Sequence, residues 1–565
     1  MTRRLTAGQQ TSEEAYYYDH AVADFLRILQ EATRATPKEG PSVYVPPAGG
    51  DKAEANYNHF VFGQRGSGKS SLLRHLERKL VAEGRAAVWI DQEIFSNLAY
   101  PDVLVSAVLE VMESIQGTLR LSRKVLVNQM GWWERLLVAL RLRKRKKELV
   151  TTDKTIEYLG QGVENLRTLK HAPLTSKVQW VHSRGAEAKE DLLGAIRIAP
   201  VEVKGGSAFK ETTGVTSTQV VESTKEEYLE RALVDFRRLL RQAAELCQGG
   251  FVFVDDLYLI KRDDQPLVLG YLHRLLKDTG FWLKIGSIRY LTTTYRAGDH
   301  PVGMQVAHDA HEVALDQGIR LLGSTQVFLE KILNNLARNA SVDLERLLSE
   351  GSRERLVLAS GGIARDYLRL TAGAVEQAQN RGITPKSGTN RVIVEDVNEA
   401  AGTIAPSKLD DLKRDAPELA ALLRALVVDL TEFCRQTQCA YFLVDAQDRE
   451  LSDSMDALQH LRFAYLLDES ETVPDRASQR FNVWLLDIAE LSAQRATQQM
   501  DFDGWQKREK RRNRGLIFQR GWKESRPVRQ PPRKRGVSTK QSSRTEDTPQ
   551  REDSRIEGEQ KLFDS

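Results

Sequence analysis

GQRGSGKSS, residues 63–71, directly follows the apolar run His59-Phe60-Val61-Phe62. Gly63, Gly68, Lys69 and Ser70 satisfy the spacing G-x-x-x-x-G-K-[ST]. In that pattern backbone N–H groups, here also those around Gly66, Ser67 and Ser71, cradle phosphates, the lysine reaches the outer phosphates and the hydroxyl takes a Mg²⁺ site. The flanks support the motif. HFVF supplies a strand, and Ser70 to Leu80 reads as an amphipathic helix whose N-terminal partial charge faces the phosphates.

The chain has 565 residues, long enough for about three or four domains. Its 41% hydrophobic and 28% charged residues are ordinary for a globular protein. A net charge of +4 conceals two basic concentrations, RLRKRKK at 141–147 and the stretch after Lys507. Three cysteines, a polar N-terminus and the lack of a long apolar run predict a reduced, cytoplasmic protein with no membrane span. Cys434 and Cys439 have no second pair nearby and read as ordinary thiols.

A helix is expected over 13–35, followed by a Pro- and Gly-containing connector. Ala86 to Ile90 reads as a second strand ending at Asp91, with a helix from about Pro101 to Ile115. Residues 116–215 break the strand–helix alternation and read as an insertion, helical and basic at first, then rich in β-formers, Gly and Thr. A helix over 223–247 returns to the core.

FVFVDD, residues 251–256, is a buried-strand pattern ending in two carboxylates, where α/β folds place their ligands. Behind a full phosphate loop, Asp255 is expected to hold Mg²⁺ and Asp256 to orient or deprotonate the attacking water. A further strand over 281–289 ends at Ser287 and Arg289, which either sense the outer phosphate or, for Arg289, pair with an acid. Arg296 in TTTYRAGDH is placed either as an arginine finger for a neighbouring subunit or as a solvated loop residue. His308, Asp309 and His311 read as polar residues beside a last core strand rather than as metal ligands.

The order of phosphate loop, apolar strand with DD, polar strand end, helical segment with GGIARD and small C-terminal domain resembles the AAA+ and STAND ATPases, particularly origin-recognition-type and related bacterial ATP-binding proteins. The resemblance covers about 57–115 and 216–500. It implies an α/β fold: a P-loop NTPase parallel-sheet core with a helical lid and a C-terminal winged-helix-like domain, to which the residues themselves add the large insertion and a basic tail expected to be disordered for want of apolar residues. The expected boundaries are an N-terminal helix and linker at 1–56, the core at 57–330, the lid at 331–390, the winged-helix-like domain at 391–500 and the tail at 501–565. It further implies ATP and Mg²⁺ as cofactors, Ser287 or Arg289 as first sensor and Arg365 as the lid arginine. Two departures stand out: Asp256 replaces the usual Glu, and Gly362-Ile363-Ala364 lacks the STAND proline.

Two functions are open on these residues. One is an ATP-hydrolysing switch that forms a homo-oligomer and acts on DNA or a DNA-associated partner. The other is a slow nucleotide-dependent signalling or scaffold switch controlling a separate effector protein, as in bacterial antiphage defence. The helix–helix–hairpin order after Glu418 suits DNA contact, but DSMDALQHLR is not basic. The tail after Lys507 is expected to attract phosphates without reading sequence.

Overall fold

The computed structural model describes residues 16–33, 44–47, 49–95, 97–129, 145–173, 175–183, 216–316, 318–382, 390–415, 418–474, 476–493 and 500–522. Two compact units divide the chain, Met1–Phe518 and Gln519–Ser565. The described part of the second is a turn closed by Trp522 N–H donating to Gln519 O at 3.0 Å.

In chain order the strands are β1 (His59–Phe62), β2 (Ala86–Asp91), β3 (Thr175–Ser183), β4 (Thr216–Thr224), β5 (Gly250–Asp255), β6 (Phe281–Ser287), β7 (Tyr295–Arg296), β8 (Val302–Gly303), β9 (His311–Ala314), β10 (Tyr441–Asp445), β11 (Ala464–Val473) and β12 (Arg476–Leu486). The central sheet runs β2-β5-β6-β1-β9 with every pairing parallel. Its register sets Phe62 opposite Ser287 and Asp91 opposite Asp255, so the phosphate loop, the paired acids and the end of β6 share the carboxyl edge.

Alternation along the strands sorts side chains to two faces. Phe60, Phe62, Val252 and Val254 join Leu104, Val108, Leu229 and Leu272 in one apolar cluster. Val61, Phe251 and Phe253 turn the other way, onto Leu72, Leu73, Leu76 and Leu80 of the helix Lys69–Ala82.

The insertion does not begin as a separate body. The helix expected to end near Ile115 continues as Asp102–Gln129 and packs antiparallel against Arg145–His171, with Arg167 pairing with Glu113 at 2.8 Å and Arg123 with Asp153. Leu159, Val163, Leu166 and Leu169 enter the same cluster as the central sheet. Apolar faces of both helices are therefore core rather than appendage. The β3–β4 antiparallel hairpin follows, and Thr224 caps the helix Lys225–Cys247 in a capping box with Glu227. Trp132, Trp133 and Arg141 to Lys144 lie outside the described residues.

Helices Leu322–Asn339, Glu350–Ala359 and Ala364–Gly382 occupy the region expected as a lid. The N-terminal helix His20–Ala32 packs onto the last of them: Tyr18 Oη donates to Gln379 O at 2.6 Å, and Gln379 donates back to Tyr17 O at 2.7 Å. Beyond it, helix Ala420–Thr437, β10, helix Arg449–His460 and the β11–β12 hairpin build a three-stranded antiparallel sheet ordered β10-β12-β11. A strand thus stands between the two helices that the sequence reading placed in succession.

Residues 500–518, basic enough to be expected in the tail, fold against this sheet. Phe518 N–H donates to Leu443 O at 2.8 Å, and its ring meets Phe433 and Phe442. Arg511 pairs with Glu471 at 2.6 Å, and Arg512 donates to Thr472 O at 2.6 Å. The tail's remaining basic residues, from Lys523 on, lie outside the described residues. No described helix is long and apolar enough to cross a membrane.

At the opposite edge of the sheet Lys284 is fully buried. Its Nζ donates to Ala55 O (2.7 Å) and Tyr57 O (2.9 Å), lies 3.0 Å from His59 Nδ1 and stands over the Phe251 ring. Among the described residues no carboxylate pairs with it. Burial, then the charge of Arg85, pulls its pKa down to about 7. The unfolded chain therefore binds more protons between about pH 7 and the ordinary lysine range, so this group makes stability rise with pH across that window. Melting temperatures of Lys284→Met and the parent, compared from pH 6 to 10, are expected to show a shallower rise in the variant; parallel curves would refute this.

Candidate functional site

The loop after β1 is built for an anion. Gly66 and Gly68 have φ of 90° and 98°, and a Cβ on Gly66 would stand 2.8 Å from that of Arg365. Ser67 Oγ and Gln64 Oε1 are buried without a partner among the described residues. Lys69 is 5% exposed, and its Nζ donates back to Gly63 O (2.9 Å) and Gln64 O (3.0 Å). Burial pulls the Lys69 pKa down, opposed by the charges of Asp256, Asp316 and Asp255.

Asp255 is buried at the end of β5 and accepts a hydrogen bond from Ser70. Burial and the neighbouring Asp256 push its carboxyl pKa up, with Ser70 and Lys69 acting in the opposite sense. Asp256 follows in the left-handed region at φ 51°, which turns its side chain toward the cleft and away from the strand. Its carboxyl is also raised by burial, with Lys69 and Arg65 opposing and Asp91 and Glu93 reinforcing. Two adjacent acids, a hydroxyl and a lysine therefore converge, and this donor set fits a Mg²⁺-bound polyphosphate.

The cleft above them has a volume of about 1500 Å³. The phosphate loop forms its floor, Thr33, Tyr44, Val45 and Pro47 one wall, and Phe328, Ile332, Leu336, Arg365, Leu368 and Arg369 the lid side. Arg365 bridges the walls: its N–H donates to Gly66 O at 3.2 Å and its Nε to Thr33 O at 3.0 Å.

The other two arginines stand elsewhere. Arg289 pairs with Glu312 of β9 and lies over the Phe62 ring at 4.4 Å. Its charge, after burial, helps hold His460 down to about 4, and His460 stacks on Tyr290 with centroids 5.2 Å apart. Arg296 donates to Asp263 O at 2.8 Å with its side chain half exposed. Ser287 is fully buried, its hydroxyl 2.5 Å from that of Thr292. His311 stacks on Tyr57 at 4.3 Å.

Three residues of this site hold no fixed motif position: Arg65 and Glu93 line the cleft, and Asp316 accepts from Gln64 N–H at 2.7 Å. Glu93 and Asp316 owe their places to tertiary meetings between distant segments, as does the pairing of Asp366, the last residue of GGIARD, with Arg462 at 2.9 Å.

Phosphate loop, parallel sheet and paired acids at its carboxyl edge give the chain the α/β fold of a P-loop NTPase core. No family model and no curated protein matches it. Among solved structures it is similar to the Orc1 protein of Aeropyrum pernix in complex with DNA, at 14% identity, TM-score 0.31, covering 85% of this chain and 92% of that one. It is also similar to a Walker-type ATPase of Pyrococcus abyssi, at 11% identity, TM-score 0.33, covering 83% and 95%.

Proposed function

We propose that this chain is a Mg²⁺-dependent ATPase of the AAA+/STAND group, a molecular switch that oligomerises and acts on DNA or a DNA-associated partner. The observation that carries it is the seat of Arg365, which ties the phosphate loop to the lid and to the end of the N-terminal helix across the cleft. In this reading Ser70 and Asp255 hold the metal, Lys69 takes the outer phosphates and Asp256 orients water. Nucleotide that draws Arg365 from Thr33 shifts the lid, and differential affinity for the two lid positions biases the switch. The sheet and helix Arg449–His460 support reading the C-terminal module as winged-helix-like, although His460 is engaged with Tyr290.

A specific observation favours a second reading, the slow signalling or scaffold switch with a separate effector. Asp256 is shorter than the usual glutamate, so its carboxylate reaches less far toward an attacking water and serves less well as a general base. Phosphate release with and without duplex DNA separates the readings. Stimulation by DNA is expected for the first; nucleotide that co-purifies without turnover supports the second. Because residues 500–518 are packed, the basic tail is removed after Trp522. That truncation is expected to weaken binding equally for all DNA sequences and to flatten its salt dependence; an unchanged slope would count against the tail as the contact.

A further inference from the structure

Arg289, a candidate sensor of the outer phosphate, is engaged with Glu312, and Arg296, the candidate finger for a neighbouring subunit, with Asp263. Arg365 is spanned between Gly66 and Thr33. One guanidinium of the phosphate loop itself remains. Arg65, two residues after Gly63 and four before Lys69, lines the cleft on its exposed rim. Among the described residues no hydrogen bond or ion pair holds it. Its charge nevertheless reaches both sides of the site, acting on Asp256 across the floor and on Arg365 of the lid. Arg65, Asp256 and Arg365 line one cleft with the phosphate loop, so an unanchored guanidinium stands in the space that a bound polyphosphate would share with the water-orienting acid.

We propose that Arg65 is a built-in arginine that acts in cis on the terminal phosphate of a nucleoside triphosphate bound to its own chain. The inference rests on the ATPase reading above and adds the residue that stabilises the transition state. In the step, a water oxygen bonds to the γ-phosphorus while the bond from that phosphorus to the β–γ bridging oxygen breaks. The electron pair of the broken bond stays on the diphosphate, and the proton lost by water passes to Asp256 and then to solvent. Products are nucleoside diphosphate and inorganic phosphate. Negative charge grows on the bridging and γ-oxygens as the bond breaks, and a planar guanidinium can donate to two oxygens at once. Supplied by the loop, it needs no neighbouring subunit.

The test uses the full chain with ATP and a fluorescent ADP analogue. Arg65→Ala is expected to lower kcat by about 10³-fold, the lower end of the range such arginines supply, while diphosphate affinity stays within about threefold and the melting temperature is unchanged. Arg65→Lys is expected to recover little, since a point charge cannot replace the fork. Mixing Arg65→Ala with Lys69→Ala chains, which carry an intact Arg65, is expected to restore nothing. Turnover of Arg65→Ala at the parent rate overturns the proposal while leaving the ATPase reading standing. Restoration in the mixture also overturns it, because the arginine then works in trans. A parent chain that binds ATP and never cleaves it overturns both.

Discussion

Lys69→Ala is expected to abolish ATP turnover and to weaken nucleotide binding by at least about 100-fold, the larger of the two losses being in turnover. Lys69 is the one described ammonium buried at the floor of the cleft, where its charge offsets Asp255, Asp256 and Asp316. Its two hydrogen bonds go to carbonyls of its own loop, so it holds the loop in shape before it meets phosphate. Removing it leaves Gly63 O and Gln64 O without their donor and faces a polyanion with two coupled acids. Lys69→Arg keeps the charge but needs more space than a buried site offers, so little recovery is expected. Titration with a fluorescent nucleotide and a phosphate-release assay measure both effects. The ligand-induced rise in stability, about 2.7 kcal/mol at a hundred times Kd, should vanish with them. Turnover within threefold of the parent would show that the phosphates bind elsewhere.

The phosphate loop and the Asp255–Asp256 strand end were legible in the sequence because their geometry is local. Loop conformation follows from glycines at fixed spacing, and a buried parallel strand has to be apolar. The Val313-Ala314-Leu315 run was likewise readable as the last core strand, which the fold places at His311–Ala314. What the sequence withheld depends on partners brought together by folding. Arg289 meets Glu312 only because β1 lies between β6 and β9 and aligns their ends. Arg65 occupies a position the motif leaves free, so no spacing rule marks it. Residues 500–518 look like tail by charge, yet Trp505, Leu516 and Phe518 are buried, and Glu471 neutralises the arginines beside them. Composition averaged over a basic window outweighs a few apolar anchors that matter more once a surface exists to receive them.

Arg462→Ala is expected to cost about 3–5 kcal/mol, because it strips the partner from a buried carboxylate. Arg462 Nη1 donates to both oxygens of Asp366, at 3.1 and 2.9 Å, with the side chains 10% and 6% exposed. A second buried pair lies against it: Lys408 Nζ donates to Asp487 at 2.5 Å and to Arg462 O at 3.2 Å. Tyr465 Oη completes the group on Arg462 O at 3.3 Å, and its ring packs against Gly361, where a side chain would collide. Asp366 is the neighbour of Arg365, so the segment from Gly361 to Asp366 touches the phosphate loop on one side and the C-terminal module on the other. Loss of Arg462 should therefore lower ATP affinity as well as stability, although the residue lies outside the cleft lining. Asp366→Asn combined with Arg462→Met, which leaves no charge unpaired, should recover a substantial part of the loss. Urea unfolding of the parent, Asp366→Asn, Arg462→Met and the double variant gives the coupling energy, and nucleotide titration of the same four proteins and of Arg462→Ala reports the link to the lid. A cost below about 1 kcal/mol for Arg462→Ala would mean that water reaches Asp366 freely. An unchanged nucleotide affinity in a clearly destabilised variant would mean that the C-terminal module is docked on the lid without being coupled to it.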